Sequence, residues 1–462
     1  MKKNIVIVGA GLAGSLCALY MLKRGYQVRI YERRPDMRKT ALVAGRSINL
    51  ALSKRGWTAL EKVNVDEYVR DIAIPMPKRI MHDDDGSLTD QYYGNKDQAI
   101  FSVPRGELNI LLMNLAEKQG AKIFFNHKCT DVSFDKAELN FYNNATQKNI
   151  TIKCDLIVGA DGAYSAVRDK MMRQDRFQFS QFYIEHGYKE LLIPANQDGT
   201  HKIEKNALHI WPRGNFMLIA LPNLDGSYTC TLFSPFEGND SFEKLDTNQK
   251  VNEFFSRVFP DFTKLIPDLS DQFFKNPTSS MGIFKCYPWH LNDYCVLIGD
   301  SAHATVPFYG QGMNASFEDC RILDELINDE DDLKSILIRY SQARKSNGDG
   351  LQDLSLHNFI VMRDKTADPK FLLQKKIEQK FSKYHPDKWV PLYSMVSFTN
   401  TPYSEAWKIG MKQEKLMEQI MSIENINELW DTDEVMQKML KIVKNTQKSA
   451  KKCKKVQKSA KN

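Results

Sequence analysis

The first 32 residues constrain the fold more than any other stretch of the chain. The apolar run Ile5–Val8 leads into a glycine-rich turn in which Gly9, Gly11 and Gly14 have the spacing GxGxxG. Leucines follow at helical spacing until Gly25, a residue type that commonly ends helices. A strand, a glycine turn and a helix in this order predict a βαβ unit and therefore an α/β fold.

Each part of this unit has a mechanical role in binding a dinucleotide. Gly9 makes the tight turn, Gly11 lets the backbone approach a pyrophosphate, and Gly14 lets helix and strand pack closely. A second apolar run, Val28–Tyr31, ends at Glu32, whose carboxylate is suited to accept hydrogen bonds from ribose hydroxyls. By itself the unit does not distinguish NAD from FAD.

A late stretch, Gly299–Asp319, favours FAD. It joins the apolar run Tyr294–Ile298 to a helix-like run, Ala315–Asn328. Asp300 could hold the hydroxyls of a polyol, and the helix start at Gly312–Asn314 offers unpaired N–H groups and a positive dipole end to an anion. A reduced flavin has both a polyol chain and a ring that becomes negative. No second GxGxxG occurs, so one nucleotide fold plus this stretch indicates FAD.

A third motif lies between these two. Cys154–Gly162 is an apolar run that ends in a Gly-Asp-Gly turn at Asp161. This is the form found in single-fold FAD hydroxylases, where the acid lies near the cofactor and the groove used by the nicotinamide nucleotide. Three motifs in this order are far more specific than any one of them. For His303, which lies in the late stretch, we expect a structural role and not that of a proton shuttle.

The segments between the motifs predict an antiparallel sheet inserted into the nucleotide-binding fold. Pro75–His82 is expected to be an edge strand after two prolines, and residues 208–235 contain two or three strands broken at hairpin signals. We therefore predict an α/β (α+β overall) protein with a Rossmann-like FAD/NAD(P)-binding domain, an inserted antiparallel-sheet substrate domain and a helical C-terminal region. The expected bounds are 1–71, 101–179 and 281–340 for the FAD domain, 72–100 and 180–280 for the substrate domain, 341–440 for the helical region, and 441–462 for a disordered Lys-rich tail.

Charge and cysteine content exclude several other classes of protein. Nine lysines and no acids lie in 441–462, so removing them from the net charge of +7 leaves residues 1–440 at −2. A near-neutral body does not favour a nucleic-acid partner, and the tail offers at most a weak contact with an anionic surface. The eight cysteines show no metal-ligand spacing, so we expect free thiols and no metal site. No apolar run approaches the length of a transmembrane segment and no signal peptide is evident, so we expect a soluble, cytoplasmic, bacterial protein.

Several segments are peculiar to one family. GRSINLALS, IPMPKRIMH, CDLIVGADGAYSAVR, GDSAHATVPFYGQGMNASFEDC and VPLYSMVSF together resemble the kynurenine 3-monooxygenases across about residues 4–405. The resemblance implies that Arg79 and Tyr93 hold the amino-acid carboxylate of kynurenine, with Asn358 and Tyr393 completing the site. From the residues alone, Asn358 on an apolar helical stripe could equally be a core amide, and Tyr393 could be core or point into a cavity.

The resemblance also implies a set of cofactor contacts beyond the motif residues Gly9, Gly11, Gly14, Asp161 and Gly312. These contacts are Ala13, Tyr31, Glu32, Arg33, Arg34, Ala51, Arg105, Asp300, Met313, Asn314 and, through a backbone contact to the adenine half, Cys129. Tyr309 receives no catalytic role, since its position varies in the family. Eukaryotic members add an apolar C-terminal anchor, where this chain has lysines.

The activity expected of this family is hydroxylation of L-kynurenine at ring C3. NADPH, bound transiently, would reduce FAD, and O2 would then form a flavin C4a-hydroperoxide that transfers oxygen to the electron-rich ring. Another FAD-dependent aromatic hydroxylase, or a flavin reductase or oxidase, is the alternative. A flavin halogenase is disfavoured because no tryptophan has a second tryptophan two residues away, as WxWxxI would require.

Overall fold

The computed structural model describes residues 3–39, 49–93, 98–328, 332–364 and 368–445. Two predicted segments lie partly outside these residues: 45–48, the start of GRSINLALS, and 446–462, most of the Lys-rich tail. The first residues of that tail, 441–445, continue a helical stretch that begins at 433.

The strands occupy the apolar runs of the sequence. They are β1 (Asn4–Val8), β2 (Gln27–Tyr31), β3 (Asn49–Leu52), β4 (Ile74–Met76), β5 (Lys78–His82), β6 (Leu88–Tyr92), β7 (Ile100–Pro104), β8 (Lys122–Phe124), β9 (His127–Ser133), β10 (Glu138–Asn143), β11 (Lys148–Lys153), β12 (Leu156–Gly159), β13 (Gln178–Ile193), β14 (Ala207–Arg213), β15 (Phe216–Pro222), β16 (Tyr228–Pro235), β17 (Thr278–Tyr287), β18 (His290–Leu291) and β19 (Cys295–Leu297).

The helices cover the nucleotide-binding sheet, flank the second large sheet and form most of the chain after residue 312. They are α1 (Leu12–Lys23), α2 (Lys54–Glu61), α3 (Asp66–Arg70), α4 (Arg105–Lys118), α5 (Ala166–Met171), α6 (Asn248–Val258), α7 (Pro260–Thr263), α8 (Leu269–Lys275), α9 (Asp300–His303), α10 (Gly312–Leu326), α11 (Leu333–Asp364), α12 (Pro369–Tyr384), α13 (Leu392–Phe398), α14 (Tyr403–Met421) and α15 (Ile426–Leu429). A short 3-10 helix, Pro307–Tyr309, precedes α10.

The nucleotide-binding sheet has the strand order β18-β19-β12-β1-β2-β8. All its pairs are parallel except the β18–β19 pair. Its central strands are almost entirely buried and apolar, as expected where helices cover both faces of a parallel sheet. α1 ends at Lys23, just before the predicted stop at Gly25: this glycine has φ +78°, and its N–H and that of Tyr26 bond to the carbonyls of Leu22 and Met21.

The second large sheet has the strand order β17-β13-β16-β15-β14-β5-β6. The three predicted strands within 208–235 are β14, β15 and β16, joined by hairpins with positive φ at Gly214 and Gly226. The prediction that Pro75–His82 is an edge strand is wrong. β5 pairs with β14 in parallel and with β6 on its other side, so β6 is the edge and Pro75 belongs to β4 in a separate three-stranded sheet, β3-β7-β4.

The two faces of this second sheet contact different layers. Alternate residues such as Leu218 and Ala220 pack on an aromatic core that includes Phe255 and Phe262 of α6 and α7. Their neighbours along β15 face the opposite way, toward the loop that precedes α10. The sheet thus has one structural face and one face turned toward the end of the nucleotide-binding sheet.

A buried chain of polar groups crosses the edge of the structural face. His82 Nδ1 lies 2.9 Å from the Asp261 carboxylate and His82 Nε2 lies 2.9 Å from His209 Nδ1, while His209 Nε2 donates to the Glu204 carbonyl over 2.8 Å. Burial lowers the pKa of His209 to about 4. Burial opposes ionisation of Asp261, but hydrogen bonds from His82 and Trp211 outweigh it and lower the pKa of this carboxyl to about 2.

Lys189 on β13 is buried without an acidic partner among the described residues. Its Nζ donates to the carbonyls of Phe273 and Asn276, over 2.8 and 2.9 Å, at the end of α8. Burial lowers the pKa of this lysine to about 8.

All seven cysteines in the described part of the chain are free, as predicted. Within the same residues there is no helix both long and apolar enough to cross a membrane.

Candidate functional site

The three predicted motifs meet at one edge of the nucleotide-binding sheet. β1, β12 and β19 are neighbouring parallel strands, so the turns at their carboxyl ends lie side by side. The Ser301 hydroxyl donates to the Gly159 carbonyl over 2.6 Å, and Arg168 donates to the Ser301 carbonyl over 2.9 Å. Motifs separated by about 140 residues in sequence are therefore joined by direct hydrogen bonds.

The glycine turn after β1 has two crowded positions and one open position. A Cβ at Gly9 would stand 2.5 Å from the Ala160 carbonyl oxygen, and one at Gly14 would stand 2.0 Å from the Gly9 carbonyl oxygen. A Cβ at Gly11 would meet nothing within 4 Å. The crowded positions close the turn against its neighbours, while Gly11 exposes the backbone at the start of α1. This arrangement fits a pyrophosphate held at the helix N-terminus.

Glu32 lies behind this turn and is almost fully buried. Its carboxylate accepts hydrogen bonds from the Ala10 N–H (2.9 Å) and from Arg34 Nε (2.8 Å). Burial raises the pKa of this carboxyl, but the hydrogen bond and charge of Arg34 outweigh burial, and the net pKa is lowered. Arg33 and Arg34 are exposed beside it, so an ionised acid and two cations stand at the end of β2.

The side chains of Tyr31 and Cys129 are buried inside the protein, where a bound nucleotide would not touch them directly. The Tyr31 ring is stacked between Phe124 and Phe141, with centroids 4.8 and 4.3 Å away, and its carbonyl accepts the Gly9 N–H. Cys129 is paired with Phe141 across β9 and β10, and burial raises the pKa of its thiol to about 12. A nucleotide could reach both residues only through their backbone atoms.

The Asp161 side chain forms hydrogen bonds within its own turn. Its carboxylate accepts hydrogen bonds from the Ser165 hydroxyl (2.5 Å) and from the N–H groups of Ala166 (2.7 Å) and Val167 (3.3 Å) at the start of α5. Burial raises the pKa of this carboxyl above its usual value. The side chain thus fixes the turn between β12 and α5.

The late stretch places its acid and its helix start at the same edge. Asp300 is exposed at the first position of α9, while a Cβ at Gly299 would meet Ala13 Cβ of α1 at 3.2 Å. Gly312 and Met313 begin α10, whose first N–H groups have no partner within the helix. Ala13, Asp300 and the start of α10 therefore lie at one edge of the sheet.

Asn314 ties this helix start to β3. Its Nδ2 donates to the carbonyls of Ala51 (2.9 Å) and Gly310 (3.1 Å), and its Oδ1 accepts from the Ser53 N–H (2.9 Å). The side chain is fully buried, so it positions the backbone of Ala51 and of the loop instead of facing open space. Arg105, exposed at the first position of α4, lies beyond the adjacent strand β7.

Arg79 and two tyrosines form a cluster on the far side of the loop. The Arg79 guanidinium carbon lies 5.1 Å from the Tyr93 ring centroid and 4.8 Å from that of Tyr393, and the two rings stack at 5.2 Å. Arg79 forms no ion pair with any described residue, and the buried Tyr93 hydroxyl has no hydrogen-bond partner among them. Burial holds the pKa of Tyr93 well above its usual value, so it is a hydrogen-bond donor at neutral pH. A free guanidinium beside an unpaired phenol is suited to a carboxylate ligand.

Asn358 approaches the same loop from α11. Its Nδ2 donates to the Phe308 carbonyl over 2.7 Å, and the Phe308 ring packs against Phe359 with centroids 4.6 Å apart. On the next residue, the Tyr309 ring stacks on Tyr393 at 5.8 Å. The Asn358 amide thus binds the loop that precedes α10. This loop lies between the helix start at Gly312 and the cluster of Arg79, Tyr93 and Tyr393.

An apolar surface of the second large sheet connects these parts, and the sequence alone did not identify which residues line it. Leu208 and Ile219 contact both the core around Phe308 and Phe233 and the core around Tyr93. They lie on the face of β14 and β15 opposite the aromatic core. The signal was present as alternation along Met217, Ile219 and Leu221, but alternation does not say which face borders a ligand.

Comparison with known proteins gives a consistent result. A family model for an FAD binding domain matches residues 2–353. The kynurenine 3-monooxygenase of Flavobacterium johnsoniae is 51% identical over 441 residues, which cover 95% of this chain and 98% of that protein. That of Christiangramia forsetii is 50% identical over 446 residues (96% and 99%), and that of Dictyostelium discoideum is 41% identical over 461 residues (95% and 99%).

Solved structures confirm the fold class. The tetrameric form of 2-methyl-3-hydroxypyridine-5-carboxylic acid oxygenase superposes with a TM-score of 0.66 at 19% identity, covering 80% of this chain and 94% of its own. A single-residue variant of Klebsiella pneumoniae HpxO, solved in complex with FAD, superposes with a TM-score of 0.64 at 15% identity, covering 90% and 97%. At these identities the likeness concerns the fold, and it matches the predicted α/β architecture with an added antiparallel sheet.

Proposed function

Because the chain belongs to the kynurenine 3-monooxygenase family of FAD-dependent monooxygenases, we propose that it hydroxylates L-kynurenine at ring C3 to give 3-hydroxykynurenine. NADPH would supply the electrons and O2 the oxygen atom. This reaction would serve tryptophan degradation and the supply of quinolinate for NAD biosynthesis. Bound FAD, reduced and reacted with O2 by the hydroperoxide route, would supply an electrophilic oxygen.

The observation that carries this proposal is the unpaired Arg79 beside Tyr93 and Tyr393. Kynurenine has an amino-acid carboxylate at one end and an aniline ring at the other. The guanidinium would bind the carboxylate through paired hydrogen bonds, and the phenols would add single ones. The Arg79 guanidinium lies over two rings, and no ion pair joins it to an acid of the described chain.

The apolar face between the cluster and the loop suits the ring of the substrate. Leu208 and Ile219 border it from the sheet, and Phe308 borders it from the loop. With the carboxylate held at Arg79, the ring would extend along this face toward the start of α10. The same side chains would keep water from the reacting atoms.

The proposed cofactor contacts divide between two ends of one path. Gly11 and Glu32 would receive the pyrophosphate and the adenine ribose, and Asp300 would receive the hydroxyls of the ribityl chain. The N–H groups that begin α10, at Gly312 and Met313, would lie at the ring and stabilise its reduced, anionic form. Asn314 and Asp161 would act by holding the backbone of these turns.

Flavin reduction by NADPH, followed with and without L-kynurenine, tests the proposal directly. We expect a flavin absorption spectrum, substrate-accelerated NADPH oxidation, and one atom of label from 18O2 in the product. A reductase or oxidase would consume NADPH or O2 without incorporating label. A different aromatic hydroxylase would incorporate label only with another substrate.

Arg79→Ala tests the site separately from the chemistry, with Lys78→Ala as the matched control. Lys78 is the neighbouring cation on β5 and is already paired with Asp90 over 2.6 Å. Loss of a charge-assisted pair should weaken kynurenine binding by about 1.5–3 kcal/mol and leave FAD affinity unchanged. Equal kynurenine affinities for both variants would remove Arg79 from the site.

A further inference from the structure

The turn that presents Asp300 is held by one buried carboxylate. Gly299, with φ +62°, directs its N–H into the protein, where Asp319 Oδ2 accepts it over 2.8 Å. The same oxygen lies 2.5 Å from His303 Nε2. Since α9 runs from Asp300 to His303, Asp319 holds the residue before Asp300 and the last residue of the helix that Asp300 begins.

The hydrogen bond of His303 identifies which ring nitrogen donates. The carboxylate can only accept, so Nε2 carries the proton. His303 Nδ1 is buried with no hydrogen-bond partner in the described part of the chain, and the ring stacks on Trp289 at 4.9 Å. The ring is thus held by one hydrogen bond and one stacking contact, and it acts as a fixed donor to Asp319.

Buried cations balance the charge of Asp319. Arg344 on α11 donates from Nε to Asp319 over 2.7 Å and from Nη1 to Glu318 over 2.6 Å. Arg55 on α2 donates to the other oxygen of Glu318 over 2.5 Å. All four side chains are at most 4% exposed, so two carboxylates and two guanidiniums face each other inside the protein, and Arg321 adds a longer contact to Glu318 over 3.3 Å. Burial raises the pKa of Asp319, but His303 and Arg344 outweigh burial and lower it.

The network continues to the start of α10. The Arg55 guanidinium lies 3.9 Å from the centroid of the Tyr403 ring. The Tyr403 hydroxyl donates to Gln311 Oε1 over 3.0 Å, and Gln311 directly precedes the helix. The network therefore contacts both the turn at Asp300 and the helix start at Gly312.

We propose that Asp319 is a positioning residue for FAD: its carboxylate, oriented by Arg344, sets the turn from which Asp300 meets the cofactor. His303 is the donor that fixes its second contact. Glu318, Arg55 and Tyr403 extend the same support to the start of α10. This inference rests on the proposed role of Asp300 as a cofactor contact.

Asp319→Asn in the full chain tests the inference, with Asp324→Asn as the matched control. Asp324 is on the same helix and pairs with Arg24, away from the turn. We expect FAD titrations of the apoproteins to give a dissociation constant raised about tenfold or more for Asp319→Asn and changed less than about threefold for Asp324→Asn. The visible circular dichroism of the flavin that still binds should change only in the first variant. Equal FAD affinities and equal spectra for the two variants would overturn the inference.

A second pair of variants covers the case in which Asp319→Asn does not fold, since breaking a buried ion pair is strongly destabilising. His303→Phe keeps an aromatic ring against Trp289 but removes the donor, and His303→Gln restores a donor. We expect weakened FAD binding in the first and recovery in the second. Failure of glutamine to recover binding, or no loss with phenylalanine, would contradict the inference.

Asp300→Ala separates this inference from the proposed function. If FAD affinity is unchanged in Asp300→Ala, the cofactor role of Asp300 fails and the inference fails with it. If FAD affinity falls in Asp300→Ala but not in Asp319→Asn, the proposed site stands and only the positioning role is refuted.

Discussion

Replacing two glycines of one motif by alanine should separate cofactor binding from folding. Gly11 is the residue before α1 and Gly14 lies in the first turn of that helix, and each substitution adds one methyl group. At Gly14 the new Cβ would stand 2.0 Å from a backbone oxygen, whereas at Gly11 it would meet nothing within 4 Å. The same group therefore strikes the chain at one position and enters open space at the other.

The expected stabilities follow from these surroundings. Gly14→Ala gains about 1 kcal/mol of helix propensity, but overpacking against backbone that cannot rotate away costs about 1–3 kcal/mol or more. At 2.0 Å the upper part of that range applies, so the apoprotein should lose about 1–2 kcal/mol of unfolding free energy. Gly11 has φ −72° and ψ −177°, which alanine adopts without strain. Its poorer capping is offset by about 0.4–1 kcal/mol from the less flexible unfolded chain.

The expected cofactor affinities distinguish the variants further. A methyl group at Gly11 would occupy the space through which a pyrophosphate approaches. The steric conflict should reduce the binding free energy of FAD by about 1–3 kcal/mol, which weakens FAD binding about 5- to 150-fold. Thermal unfolding of the apoproteins and FAD titrations followed by flavin fluorescence measure the two effects separately. Wild-type FAD affinity in Gly11→Ala, or wild-type stability in Gly14→Ala, would refute the reasoning.

Three further outcomes follow from buried polar groups. The pKa of His209 is lowered from 6.5 to about 4, so its contribution to the free energy of unfolding is fully present above pH 6.5. The free energy of unfolding should fall by about 3 kcal/mol as pH drops to about 4. Denaturant unfolding of the wild type and of His209→Gln across this range should show this pH dependence only in the wild type. The pKa of Lys189 is lowered from 10.5 to about 8, so the folded protein loses this proton at a lower pH than the unfolded chain. The free energy of unfolding of the wild type, relative to that of Lys189→Met, should therefore rise by about 3 kcal/mol between pH 8 and 10.5 in denaturant unfolding. Tyr93→Phe removes a buried hydroxyl that lacks a partner, so the melting temperature should stay equal or rise while kynurenine affinity measured by calorimetry falls; lower stability with unchanged affinity would contradict this.

Local patterns predicted individual elements well in both large sheets. The strand, turn and helix of residues 4–25 and the hairpins of 208–235 appear where the sequence placed them. Each depends on neighbouring residues: apolar periodicity for the elements, and glycine at positive φ for the turns. The edge assignment of β5 failed because its parallel partner, β14, is more than 120 residues away, and no local pattern reports that pairing.

The residue types of the site were easier to predict than their contacts. Asn314, Asp161 and Tyr31 were expected at the cofactor, and each lies at the predicted edge. Their side chains nevertheless bond to or stack on the protein itself. A motif identifies which residues a turn needs but does not say whether a given side chain meets the ligand or holds the backbone that does. That distinction depends on groups brought from distant segments, such as Ser53 opposite Asn314.

The loop from Pro307 to Gln311 belongs to both halves of the site. On one side, Asn358 binds the Phe308 carbonyl and Tyr393 stacks on Tyr309. On the other, Asn314 binds the Gly310 carbonyl at the start of α10. A ligand that shifts Tyr393 must therefore act on the same short segment that borders the proposed flavin position. Since packed segments move between discrete arrangements, we expect a substrate carboxylate at Arg79 to alter the environment of the ring through this shared loop; an unchanged flavin absorption spectrum on addition of L-kynurenine would contradict this.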